Sequence, residues 1–97
     1  MKSKLEIDIN GNKSWKLPNG DLHRENGPAF EATNGYKSWY KNGKLHRENG
    51  PGIIYYDNSK EWWLNGKQYT EEEYKYEMRL IKLKHILDWD ETKIRNR

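Results

Sequence analysis

The stretch NGYKSWYKNGKLHRENGP, residues 34–51, holds two turn signals, a tryptophan between them and a charged loop after them. Asn34-Gly35 and Asn42-Gly43 are each strong hairpin signals, because a type I′ turn needs positive φ at both central residues. Between them, Tyr36-Lys37-Ser38-Trp39-Tyr40 has the length and composition of a strand. The chain leaves the second turn through Leu45-His46-Arg47-Glu48-Asn49-Gly50-Pro51. The same seven residue types stand earlier in the chain, from Leu22 to Pro28, which sets a 23-residue period.

Self-similarity at a fixed period changes the reading of every residue inside it. Trp15, Trp39 and Trp62 sit in matching frames: Lys13-Ser14-Trp15, Lys37-Ser38-Trp39 and Lys60-Glu61-Trp62. The extra residue of the first interval falls where Leu17-Pro18-Asn19-Gly20 stands in place of Lys41-Asn42-Gly43. One turn series is Asn10-Gly11, Asn34-Gly35 and Asp57-Asn58; the other is Asn19-Gly20, Asn42-Gly43 and Asn65-Gly66. The pattern predicts three β-hairpin units joined into an antiparallel meander. The first unit is the most divergent, as a terminal repeat usually is.

At Thr70 the pattern changes. Thr70-Glu71-Glu72-Glu73 is a capping box, with three acids where the helix dipole favours them. No glycine or proline interrupts Glu71 to Trp89. Tyr76, Leu80, Leu83 and Leu87 line one stripe, widened by Met78 and Ile81, with Lys75, Arg79, Lys82 and Lys84 largely outside it. The expected fold is α+β in one domain: repeat sheet over 1–69, helix over 70–89, charged tail over 90–97. Two-residue turns pair Phe30 with Trp39 and Ile53 with Trp62, and the helix is expected to cover Ile54, Tyr56 and Trp63 on the opposite sheet face. The same turns put Leu5, Ile7 and Ile9 on the face opposite Trp15, which fits the other hairpins poorly.

Only 33% of the 97 residues are hydrophobic and mean hydropathy is −1.33, but five tryptophans and seven tyrosines can make a thin core. Without cysteine there is no disulfide framework or thiolate metal site. The first residues lack the apolar run of a signal peptide, and no stretch approaches a membrane span. The expectation is a soluble protein of the host-cell cytoplasm without a membrane partner. A net charge of +3 permits nucleic-acid contact without demanding it.

Asn42-Gly43-Lys44-Leu45-His46, followed by Gly50 and repeated with the 23-residue period, resembles a MORN-type repeat. "NGKLHRENGP" followed by "YYDNSKEWWLNGK" is similar to a MORN-like repeat common in proteins of phages, giant viruses and some bacteria. The resemblance covers about residues 10–69. It implies a β-hairpin scaffold with interaction roles rather than one chemistry. His46-Arg47-Glu48-Asn49-Gly50-Pro51 departs from the shorter His-Gly-x-Gly pattern usual in MORN repeats, which argues against carrying over a lipid-binding role.

His23-Arg24-Glu25 and His46-Arg47-Glu48 are the candidates for chemistry, since histidine titrates near neutrality. A catalytic site is normally single and built from unlike residues. Here one triplet recurs in register with no nucleophile beside it, so these residues, like the three repeat tryptophans, read as structural. Two histidines and two glutamates, one set per repeat, do not make the three or four tight ligands zinc requires, so neither metal nor cofactor is expected. Lys13, Lys37 and Lys60, each two residues before a tryptophan, suit a surface that stacks bases and neutralises phosphates, unless the tryptophans are core. In the tail, Trp89 and Ile94 stand among charges like a protein-binding hot spot, unless Trp89 instead closes the helix onto the sheet.

The expectation is a non-enzymatic module that docks on a larger host protein or complex through Trp89, Ile94, Arg79, Lys82, Arg24 and Arg47. The resemblance to phage repeats suggests a phage or mobile-element inhibitor of a host defence complex, such as a CRISPR effector. The alternative is a nucleic-acid or nucleotide-ligand binder using the basic, aromatic surface. An edge strand of the meander could also serve dimerisation.

Overall fold

The structure, a computed structural model, describes residues 2–95, with side chains as far as Ile86. Among these residues the strands are β1 (Lys4–Ile7), β2 (Lys13–Lys16), β3 (Phe30–Glu31), β4 (Lys37–Ser38), β5 (Tyr40–Lys41), β6 (Lys44–Leu45), β7 (Ile53–Ile54), β8 (Lys60–Leu64) and β9 (Lys67–Tyr69); α1 (Glu71–Arg95) follows. The main sheet is antiparallel, in the order β1-β2-β3-β4-β7-β8-β9, and β5-β6 form a separate two-stranded ribbon. The fold is α+β, a meander carrying one C-terminal helix.

The two turn series have different geometries. Asn42-Gly43 and Asn65-Gly66 close two-residue loops in which both residues have positive φ, 51° and 82° in the first and 50° and 82° in the second. These are type I′ turns, and asparagine tolerates the left-handed region better than most residues. Across Thr33-Asn34-Gly35 the loop is one residue longer. The Ala32 amide donates to the Tyr36 carbonyl, and the Gly35 amide donates to the Ala32 carbonyl. This is a three-residue loop ending in a left-handed residue. Asp8 with Asn12, and Tyr55 with Ser59, close loops of the same kind.

One extra loop residue moves every side chain to the other face. Phe30 therefore pairs with Ser38 rather than Trp39, and Ile53 with Glu61 rather than Trp62. The same shift brings Leu5 directly opposite Trp15, which removes the conflict in the first hairpin. The long first interval has a similar cause. Leu17 donates to Asp21, and Gly20 to Leu17, around Pro18-Asn19-Gly20, a three-residue loop where the later units have two.

The core is thin. Among the described residues its buried apolar side chains are Ala29, Ile53, Leu64 and Tyr74, joined by His23 and Ser38. Small residues recur where chains meet: a Cβ added at Gly52 would lie 2.9 Å from the Trp63 Cβ. Trp15, Trp39 and Trp62 are half-buried, so they wall the core rather than fill it.

The capping box forms. Thr70 Oγ1 accepts from the Glu73 amide at 3.1 Å, and Glu73 Oε1 accepts from the Thr70 amide at 2.9 Å. The helix continues to Arg95, so most of the expected charged tail is its last turns. It packs on β8 and β9 through its first turns, with Tyr74 buried and Glu77 and Met78 half-buried. The docking face differs from expectation: Tyr76, Leu80 and Leu83 are 57%, 42% and 51% exposed, and Tyr56 on the sheet is 72% exposed. The cause is Tyr74. Its hydroxyl donates to the Arg47 carbonyl at 2.5 Å and accepts from the Gly50 amide at 3.3 Å, and burial pushes its pKa up, keeping the donor protonated. With Tyr74 turned inward, a stripe beginning two residues later lies roughly 200° round the helix, facing away. Leu87, the fourth residue of that stripe, lies outside the described side chains.

Tyr74→Phe leaves two loop backbone groups without their partner and should cost ~1–3 kcal/mol. Tyr74→Ala also removes the buried ring and should cost ~3–5 kcal/mol. Urea denaturation measures both; a Tyr74→Phe protein as stable as its parent would show that the helix is held by something else.

Candidate functional site

The recurring Leu-His-Arg-Glu-Asn-Gly-Pro loops are the most polar recurrent feature, and their geometry is nearly identical in both copies. His23 Nδ1 accepts from the Asn42 amide and His46 Nδ1 accepts from the Asn65 amide, each at 2.9 Å. With Nδ1 accepting, the ring proton lies on Nε2, which meets the Glu25 carboxylate at 2.6 Å in one loop and that of Glu48 at 3.0 Å in the other. Each histidine thus ties its loop to the first residue of the type I′ turn one unit later. Both ring nitrogens are engaged, leaving no free lone pair for proton abstraction or metal ligation.

The arginines act in parallel. Arg24 Cζ lies 3.7 Å from the Trp15 ring centroid, and Arg47 Cζ lies 3.8 Å from that of Trp39. Stacking of a guanidinium on an indole is favourable and covers the ring's face. Arg24 Nη1 donates to the Pro28 carbonyl, and Arg47 Nη1 to that of Pro51, both at 3.1 Å, so each arginine also closes its own loop. Burial draws the Arg47 guanidinium below its ordinary pKa. The loop glycine makes room for the stack, since a Cβ at Gly50 would lie 2.9 Å from Arg47 Cζ. Arg24 further pairs with Glu31 at 3.2 Å.

Lys13 and Lys37 flank Glu31 in one cross-strand row, which continues through Ile54 to Lys60. These lysines are exposed, but the tryptophans beside the first two already carry a guanidinium on one face. Between the two loops and the helix runs a groove of about 850 Å³, lined in part by Arg24, Arg47, Met78, Ile81, Lys82 and His85. Composition alone does not reveal it, because it exists only where α1 crosses the loops. Among the described residues no group of three or more histidine, cysteine, aspartate and glutamate side chains is placed to hold a metal ion, and no helix is long and apolar enough to cross a membrane.

Of the expected partner contacts, Arg24 and Arg47 are committed to the stacks, Lys82 borders the groove and Arg79 is exposed on the helix. The side chains of Trp89 and Ile94 lie outside the described residues. Tyr74 was missed by sequence reasoning. The signal was present, since Tyr74 falls one full period after Pro51, inside the extended repeat register. The chain matches no family profile, no curated protein and no solved structure.

The surface left over is the outer helix face. Tyr76, Leu80 and Leu83 recur at the spacing of a single stripe. They lie opposite Tyr74 and Met78, with Arg79 on one flank and Lys84 on the other.

Replacing His46 by Ala should speed hydrogen exchange at the Asn65 amide and leave Asn42 slow; His23→Ala should do the reverse. Each should cost about 0.5–1.5 kcal/mol for the lost hydrogen bond, with His23→Ala the larger because its ring is buried. Unchanged exchange at Asn65 in His46→Ala would show that the histidine does not cap that turn.

Proposed function

We infer that the protein is a non-enzymatic binding module that acts by protein–protein contact, presenting the outer face of α1 to a groove on a larger partner. The observation that carries this reading is the open stripe Tyr76, Leu80 and Leu83, in a chain where so few apolar side chains are buried among the described residues. Apolar anchors at i, i+4 and i+7 are the pattern by which a helix seats in an apolar groove. Arg79 and Lys84 beside the stripe favour a groove with an acidic rim, where complementary charge orients the encounter. The internal partners of both histidine-arginine-glutamate triplets support a scaffold role for them rather than chemistry. The resemblance of the repeats to those of phage and giant-virus proteins supports a host complex, a defence effector among them, as the partner class.

Nucleic-acid binding is the second reading, motivated by the exposed lysine row Lys13, Lys37 and Lys60. It is weaker, because Trp15 and Trp39 each offer a base at most the face their arginine leaves open.

The double variant Leu80→Asp/Leu83→Asp changes only half-exposed positions, so it should stay folded with a melting temperature lower by a few degrees, the cost of two aspartates within a helix. Its affinity for the partner should fall by about a hundredfold or more if both leucines are anchors. Unaltered affinity in the folded variant would overturn the helix reading. So would tight binding of a single-stranded oligonucleotide that weakens steeply between about 50 and 200 mM salt, the mark of phosphate-driven association.

A further inference from the structure

The repeat register runs past the sheet. Tyr69-Thr70-Glu71 stands one full period after His46-Arg47-Glu48, so the third unit has neither the histidine that caps a following turn nor the arginine that covers its tryptophan. In the first two units a guanidinium lies over the indole at 3.7 Å and 3.8 Å. Among the described residues no cation is seated over Trp62; the nearest comparable contact is Lys67 over the neighbouring ring of Tyr69 at 5.2 Å.

Trp62 is half-buried and lines a shallow groove of about 390 Å³ together with Tyr69, its partner across β8 and β9. The groove also holds Lys60, Glu61, Glu71 and Glu73, with the ammoniums of Lys67 and Lys75 beside Tyr69 and Glu71. Both oxygens of Glu61 already accept, from Tyr55 and Trp63. Glu71 is tied only to Lys75, in an exposed pair at 3.4 Å, and one oxygen of Glu73 caps Thr70. These two acids remain available to a guest and offset the positive end of α1.

We propose that the Trp62 groove receives an arginine side chain from a partner protein. The chain fills the equivalent place in its first two units with its own arginine, so the geometry around Trp62 repeats that of a seat for a guanidinium. A guanidinium is planar, weakly hydrated and forked, so it stacks on indole while its N–H groups reach carboxylates. A guanidinium can reach Glu71 and Glu73 there, whereas a nucleotide's phosphates would meet those same carboxylates. This site stands apart from the outer helix stripe, so either reading can fail without the other.

The test is a titration of the full chain with acetyl-Gly-Arg-Gly-amide, followed through the indole N–H resonances, with the citrulline and lysine peptides as controls. The Trp62 resonance should move and saturate, while those of Trp15 and Trp39 stay in place. The citrulline peptide keeps the planar shape without the charge and should bind roughly tenfold more weakly; the lysine peptide should fall between. Glu71→Gln/Glu73→Gln retains the capping geometry, because glutamine serves at that position, and should weaken arginine binding several-fold. It keeps the test open if Trp62→Leu fails to fold. A stationary Trp62 resonance, equal binding of the citrulline peptide, or Trp15 and Trp39 moving as much as Trp62 would overturn the proposal. The same holds if an oligothymidylate moves the Trp62 resonance more than the arginine peptide does.

Discussion

One histidine staples each of the first two units to the next, beside the β2–β3 and β4–β7 ladders. Nδ1 of the ring accepts from an amide in the turn of the following unit, and Nε2 is held by a glutamate of its own loop. A type I′ turn leaves amides that a short hairpin alone does not satisfy. The histidine supplies the missing partner across the unit boundary, so one hydrogen bond both completes a turn and sets the spacing of the array. His23 is one of the few buried polar side chains, which places this contact at the level of the core.

The same loops explain how so polar a chain can fold. Four apolar side chains are buried among the described residues, too few to close a core of ordinary thickness. The tryptophans supply the missing area, and arginines shield the faces that would otherwise meet water. A stacked guanidinium contributes favourable electrostatics with the ring while keeping some of its own N–H groups for loop carbonyls. Arginine thus behaves as a lid, which is why high charge and low hydropathy coexist with an ordered sheet.

Where the repeat stops, surfaces open. In the third unit tyrosine and threonine replace histidine and arginine, since no further turn has to be capped, and the chain passes directly into a helix. Tyr74 then ties the helix to the Arg47–Gly50 loop, reaching two of its backbone groups with one hydroxyl. The two candidate docking features lie at this end of the molecule: Trp62 without a lid, and a helix whose far side has nothing to cover it among the described residues. Both arise from termination of a scaffold whose interior polar groups are already paired.

The 23-residue period, the hairpin units, the capping box and the α+β class were all legible in local chemistry. Asn-Gly, alternating short runs and Thr-x-x-Glu each act within a few residues, so the chain alone determined them. Cross-strand register was not legible. Asn34-Gly35 and Asn42-Gly43 carry the same letters, yet one closes a three-residue loop and the other a two-residue loop, and that single residue decides which side chains share a face. The helix's buried side was hidden for a related reason. Periodicity finds apolar stripes, but the face that docks was chosen by one tyrosine hydroxyl meeting the Arg47 carbonyl and the Gly50 amide, in a loop a whole repeat unit away along the chain. Local propensity is written in neighbouring residues, whereas the choice of face depends on hydrogen-bond partners that only the folded chain brings together.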